Sequence, residues 1–225
     1  MFSPDNNIKN FALIGEAGCG KSEIAINLAK YLLQRGDKSV HLFDLDMTKP
    51  LFRSRDQAAL LTEMGIHFHF QEQMADAPTV GGDVMPLLRN ENCYTILDVG
   101  GDYIGARAIG GYAPLLNRDD TEVWYVMNPY RPWTTSLERI DQVLAQILGV
   151  SHIRLDKLHM VANPNLGADT SVDEVVDGYE ALVHMIGEYK SIDFLCVEEN
   201  HTAEVKHRVN APLFPIMRYL AYPWK

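Results

Sequence analysis

Short apolar runs alternate along the chain with longer stretches in which apolar residues recur every three or four positions. FALI (11–14) is a compact apolar run closed by Gly15, as expected of a buried strand. Residues 21–35 place Ile24, Leu28 and Leu32 at helical spacing with Ala25 and Ala29 beside them, which predicts a helix that packs one stripe on a sheet. The Arg-Gly-Asp at 35–37 ends that helix, and SVHLFDLD (39–46) reads as the next strand. YTILDV (94–99), EVWYVMN (122–128), LHMVAN (158–163) and SIDFLCV (191–197) are four further strand candidates, with helices expected near 105–117, 134–148 and 171–188. Between 50 and 92 the pattern weakens; IHFHF (66–70) reads as a short extra strand and APTVGGD (77–83) as a loop. Strand–helix alternation with β-branched apolar strands predicts a mostly parallel sheet covered by helices on both faces. No repeat or linker interrupts it, so residues 1–225 are expected to form a single α/β domain.

Composition adds exclusions. The chain has 225 residues, 47% hydrophobic and 22% charged, which is ordinary for a globular protein with a sizeable core. A formal net charge of −10 argues against non-specific binding to nucleic acid or to anionic membranes. Three cysteines, Cys19, Cys93 and Cys196, stand far apart without a CxxC pair and fit a reducing compartment. The polar start, MFSPDNNIKN, lacks a signal-peptide core, and no run approaches the roughly 20 apolar residues of a membrane span. A cytoplasmic location is the expectation.

The first strand and first helix are joined by Gly15-Glu-Ala-Gly-Cys-Gly-Lys-Ser22, which fits G-x-x-x-x-G-K-[ST]. Gly15, Gly18, Cys19 and Gly20 would turn backbone N–H groups around phosphate oxygens, Lys21 would reach the β and γ phosphates, and Ser22 would ligate Mg²⁺. Glu23 follows in the first helical turn, whose N-terminus favours an anion, and is counted with the nucleotide-binding residues. Cys19 suits a loop position that needs a small residue, and a thiol at a helix N-terminus is also a candidate for oxidation.

A nucleotide hydrolase further needs acidic groups that hold the metal and place the attacking water, and in parallel sheets these sit at the carboxyl ends of strands. Asp44 and Asp46 end one strand, and period-two alternation puts both on one face. Asp98 ends another, followed by Gly100, Gly101 and Asp102. One strand-end Asp is commonly a turn cap. Three of them beside a phosphate loop point to metal and water handling.

On "GEAGCGKSEIAINLAKYL", "VHLFDLDMTKP", "TILDVGGD" and "EVWYVMNP", the chain resembles the MinD/ParA/CooC branch of the SIMIBI class of P-loop ATPases. The resemblance implies a three-layer P-loop NTPase fold, bound ATP and Mg²⁺, and a cycle of ATP-dependent homodimerisation and binding to a protein partner. It makes Asp46 the water-activating switch I aspartate, Asp44 a support of the metal shell, and Asp98 the switch II aspartate with Gly101 near the γ-phosphate. It places Asn163 on the adenine amino group and Pro212, in "PLFP", over the base. The guanine-reading N-K-x-D motif is absent, which favours ATP.

The family loop reads G-K-G-G-x-G-K-[ST], and its first lysine reaches a partner subunit's ATP. Glu16 stands at that position here, and Ala17 replaces a glycine. A carboxylate about 4 Å from a phosphate charge would be repelled by roughly 4 kcal/mol at intermediate dielectric, so Glu16 is expected to point elsewhere. Arg53, Arg55 and Arg131 are the candidate compensating cations. His67 and His69 would share a strand face and could pair on a metal, although no carboxylate or cysteine adjoins them at ligand spacing. The aromatic stretches at 128–133 and 218–224 read as cover for the end of the sheet or as partner surfaces. Functionally the resemblance implies a Mg-ATP switch ATPase acting on a protein partner, in the CooC direction a metalloenzyme under maturation. The alternatives are an ATP-dependent phosphotransferase or ligase for a small molecule, and a nucleotide-binding regulatory module without turnover.

Overall fold

The computed structural model describes residues 2–46, 57–70, 84–101 and 103–220. Eight strands form one sheet in the order β3-β2-β4-β1-β5-β6-β7-β8: β1 (Asn10–Ile14), β2 (Ser39–Asp44), β3 (His67–Phe70), β4 (Cys93–Asp98), β5 (Thr121–Met127), β6 (Leu158–Ala162), β7 (Phe194–Glu198) and β8 (Leu213–Ile216). Every pairing is parallel, so all strands end at the same edge. The chain passes from β4 across β1 to β5, so the loop after β1 leaves from the point where the strand order reverses. Open parallel sheets bind ligands at such a crevice.

The α/β expectation is met by residues that alternate between the two faces. In β1, Phe11 and Leu13 join a core with α1 (Lys21–Arg35) and α2 (Ala58–Glu63), while Ala12 and Ile14 face the opposite core. That second core is shared with α3 (Val84–Arg89), α4 (Tyr103–Ala108), α5 (Ala113–Leu116), α6 (Leu137–Ser151), α7 (Val172–Ile186) and α8 (Thr202–Arg208). Ile24, Leu28 and Leu32 are fully buried, so the helical stripe read from the sequence is the face that packs. Burying a side chain of this size contributes about 1.5–3 kcal/mol. On the α1 side, Trp124 lies among the rings of Phe2, Phe11, Phe194 and Phe214 at centroid distances of 5.5, 5.5, 4.8 and 6.2 Å.

Several elements depart from expectation for local reasons. The helix expected near 105–117 is broken into α4, a 3₁₀ turn over Gly110–Tyr112 and α5; two adjacent glycines weaken a helix, and Pro114 starts the next one. β7 begins at Phe194 because Asp193 turns aside to accept from the Met160 N–H at 2.7 Å and to meet His159. β8 was not anticipated, since Pro215 argues against a strand; it forms at the sheet edge, paired to β7 alone, where a residue without N–H is tolerated. IHFHF does form an extra strand, β3. The expected loop at 77–83 lies outside the described residues, as do Pro50, Arg53, Arg55 and Asp102.

β3 brings His67 and His69 beside His41 of β2. The His41 and His69 rings are joined Nδ1 to Nε2 at 3.0 Å, and His67 stacks on His41. Burial, and then the two neighbouring imidazoles, lower the His41 pKa to about 4. Among the described residues no group of three or more His, Cys, Asp or Glu is arranged to hold a metal ion. No described helix is long and apolar enough to cross a membrane.

Candidate functional site

The loop after β1 wraps around the amino group of its own lysine. Lys21 is buried, and its Nζ donates to the carbonyls of Gly15 and Glu16, each at 2.8 Å. The Cys19 N–H reaches the same Glu16 oxygen at 3.4 Å, so this amide and the ammonium face one space. Gly20 ends the loop at φ 98°, a conformation that costs a side-chain-bearing residue roughly 1–2 kcal/mol. Being glycine, it offers no side chain to cap α1. The helix therefore presents its first-turn N–H groups and its positive dipole end to the loop. Ser22 is buried in that first turn. Cys19 is buried as well, its Sγ 3.7 Å from Lys21 Nζ, which removes it from the accessible thiols.

The acidic strand ends converge on this loop. Asp44 of β2 and Asp98 of β4 are register partners, and Asp98 is in turn level with Leu13 of β1. Both carboxylates point to the α1 side of the sheet, since their neighbours Phe43 and Leu97 point to the other. All three aspartates are buried, Asp98 completely. Asp46 is not a strand residue: its N–H donates to Asp44 Oδ1 at 3.0 Å, an Asx-type turn that fixes the exit of β2. Asp46 then packs against Gly100, where an added Cβ would lie 3.3 Å from Asp46 Oδ1. Gly101 rests on the phosphate loop itself, and a Cβ there would meet the Ala17 backbone at 2.5 Å. The segment after β4 thus touches both the loop after β1 and the turn after β2.

The other candidates make contacts of several kinds. Asn163, at the end of β6, turns to the loop rather than outward: Nδ2 donates to the Cys19 carbonyl at 2.8 Å. The carboxylate of Glu16 folds back to accept from the Ala17 N–H at 3.3 Å, within its own loop. Glu23 does not face the cradle. It accepts from the N–H groups of Tyr219 and Leu220 at 2.5 and 3.1 Å, tying the chain beyond β8 to α1. Burial raises its pKa, which those two amides partly offset. Pro212 is also displaced. It precedes β8 at the amino edge of the parallel sheet, with its carbonyl held by Leu195 N–H, whereas the loop lies at the carboxyl edge. The residues after β8, Met217 to Leu220, are the ones that reach α1, and Asn27 holds both the N–H and the C=O of Met217, at 2.8 and 2.7 Å. A buried asparagine in mid-helix was the only sequence hint of that contact.

The donor set and geometry fit a magnesium-bound nucleotide. Backbone amides with a lysine suit phosphates, and a hydroxyl with buried carboxylates suits a hard divalent cation. Fold and loop together define a P-loop NTPase-like α/β protein. Residues 11–206 match the family model "CobQ/CobB/MinD/ParA nucleotide binding domain", and the chain belongs to that family. No curated protein matches the sequence closely. Among solved structures, the chain is similar to the signal recognition particle 54 kDa protein of Aeropyrum pernix K1 in complex with GDP. Identity is 19% and the TM-score 0.55, over 86% of this chain and 42% of that one. It is likewise similar to the signal recognition particle receptor FtsY of Elizabethkingia anophelis in complex with GDP (15% identity, TM-score 0.57, 88% and 59% of the two chains). The cell division protein FtsY of Thermotoga maritima gives 19% and 0.55, over 87% and 64%. The chain thus covers less than two thirds of each of these, and at such identities the likeness is one of fold.

Proposed function

We propose that the chain acts as a single nucleotide-binding domain, a Mg-ATP-dependent switch that hydrolyses ATP slowly and signals its nucleotide state to a protein partner. The observation that carries this reading is the packing of Gly101 on Ala17 and of Asp46 on Gly100, which links the segments after β2 and β4 to the phosphate loop. Lys21 and the loop amides would bind the β and γ phosphates, while Ser22, Asp44 and Asp98 would hold the cation directly or through water. Magnesium, when bound, neutralises phosphate charge. Asp46 would orient the attacking water from its fixed turn. ATP is preferred over GTP because the chain after β6 reads Asn163-Pro164-Asn165-Leu166, without the Lys and Asp that read guanine. An ATP-dependent homodimer, and a metalloenzyme under maturation as the partner, extend the same reading.

Glu16 favours a second reading, a nucleotide sensor without turnover. Its carboxylate occupies its own loop where the family carries a lysine. Competition of a fluorescent nucleotide by Mg-ADP and Mg-GDP tests the first half of the proposal: ADP should bind at least tenfold tighter, and equal affinity removes the ATP assignment. Single-turnover hydrolysis, with mass measured by light scattering, separates the switch ATPase from the sensor.

A further inference from the structure

The outer side of the phosphate loop is held by two neighbouring peptide carbonyls. Asn163 takes that of Cys19, and Arg131, in the loop after β5, donates from Nε to that of Gly18 at 3.0 Å. In a trans peptide the C=O of one residue and the N–H of the next point in opposite directions. Pinning the Gly18 carbonyl outward therefore turns the Cys19 N–H inward, where it shares the Glu16 oxygen with Lys21 Nζ. We propose that Arg131 is a positioning residue for nucleotide phosphates. It orients the Cys19 amide and brings, from the same chain, a cation to a loop whose second position carries Glu16.

Arg131 is delivered by a rigid support. Its N–H donates to the Asn128 carbonyl at 3.0 Å, and the Thr134 hydroxyl donates to the Asn128 and Arg131 carbonyls. The Asn128 side chain bridges to Asn165, and Arg139 donates to the Pro132 carbonyl at 2.7 Å. Tyr130 is anchored by its hydroxyl to the Glu174 carbonyl on α7. An arginine held this way keeps its reach, whereas an unsupported surface arginine must lose rotamer freedom for each contact. The side chain packs over Gly18, where a Cβ would stand 3.6 Å from its Nε. Gly18 itself takes φ 75°, left-handed backbone that favours glycine.

This inference rests on the nucleotide-binding reading, and the test separates the two. Affinities of the wild-type chain, Arg131→Ala, Arg131→Lys and Lys21→Ala for AMP, Mg-ADP and a non-hydrolysable Mg-ATP analogue are measured by competition, with melting recorded before nucleotide is added. Arg131→Ala is expected to weaken Mg-ADP and the triphosphate analogue about tenfold or more and AMP less than twofold, and Arg131→Lys to recover to within about threefold of wild type. The ratio of AMP to ADP affinity within one sample does not depend on the fraction folded, so a destabilised variant still reports. An unchanged ratio in Arg131→Ala, or Arg131→Lys no better than Arg131→Ala, overturns the proposal while leaving the nucleotide site intact. Wild-type protein that binds none of the three nucleotides overturns the underlying reading instead.

Discussion

Two fifteen-residue helices start in opposite ways. α7 begins with a capping box: Ser171 accepts from the Glu174 N–H, and the Glu174 carboxylate takes the Ser171 N–H in return, at 2.7 Å. That end is closed by its own side chains, as is α6 by Ser136. α1 begins at Gly20, which can offer no such cap, and is preceded by a loop gripped from outside by Asn163 and Arg131. With glycine at that place the helix forgoes only about a few tenths of a kcal/mol relative to a side-chain cap. Here the first turn of α1 faces the space shared with Lys21 and the Cys19 N–H. The comparison teaches that this loop-to-helix junction omits the side-chain cap that closes the other two long helices.

The largest effect expected at the open end comes from Lys21→Ala, which should weaken Mg-nucleotide binding at least 50-fold, roughly, by removing a buried charge-assisted donor. Isothermal titration checks this, and affinity retained within a few-fold would erase the difference between the two helix starts. Gly20→Ala should come next. It forces a Cβ to within 2.2 Å of Asn163 Nδ2 and into left-handed backbone, so a loss of about 1–2 kcal/mol in stability and roughly tenfold in affinity is expected. Urea denaturation and the same titration would show whether both losses occur together. At the closed end, Ser171→Ala should cost about 1 kcal/mol of stability and leave nucleotide affinity unchanged.

The smallest effect lies at the far edge of the sheet, where His159 Nδ1 meets Asp193 Oδ1 at 3.1 Å. The Asp193 bond raises the His159 pKa, and nearby Glu122 adds to it against the cost of burial. Burial pushes Asp193 up, but the His159 and Met160 hydrogen bonds outweigh it and leave its pKa below normal. A raised histidine stabilises fully below its unfolded pKa and loses that contribution as pH rises through the folded value; a lowered carboxylate does the reverse on acidification. The pair is therefore strongest from about pH 4 to 6.5 and fades above it. Thermal melting of His159→Gln should show a smaller stability loss between pH 6 and 8 than wild type, with no change in nucleotide affinity. Equal pH slopes would remove the pair from the account.

Much of this was legible in the sequence because short-range chemistry dictates it. The stripe of Ile24, Leu28 and Leu32 defined α1, the spacing from Gly15 to Ser22 defined the loop, and Asp44 and Asp98 end apolar runs that read as strands. What escaped depends on contacts between segments remote in sequence. Asn163 was expected to read the base, yet its amide meets Cys19, which no local pattern announces. Glu23 sits in the motif but serves Tyr219 and Leu220 on the far end of the chain. Pro212 was placed over the base by resemblance alone, whereas it precedes β8 and its carbonyl is held by the Leu195 N–H. Asp46 lies beyond the strand it was thought to end, since the Asp44 side chain captures its N–H and ends the ladder there.

The central claim is that the uncapped start of α1 and the aspartates around it form a working Mg-nucleotide site. Titration of the purified chain with Mg-ADP, alongside Lys21→Ala and Ser171→Ala, tests it most directly. The account predicts saturable one-site binding by wild type and Ser171→Ala, and its loss in Lys21→Ala. Binding that survives Lys21→Ala, or falls equally in Ser171→Ala, would contradict it.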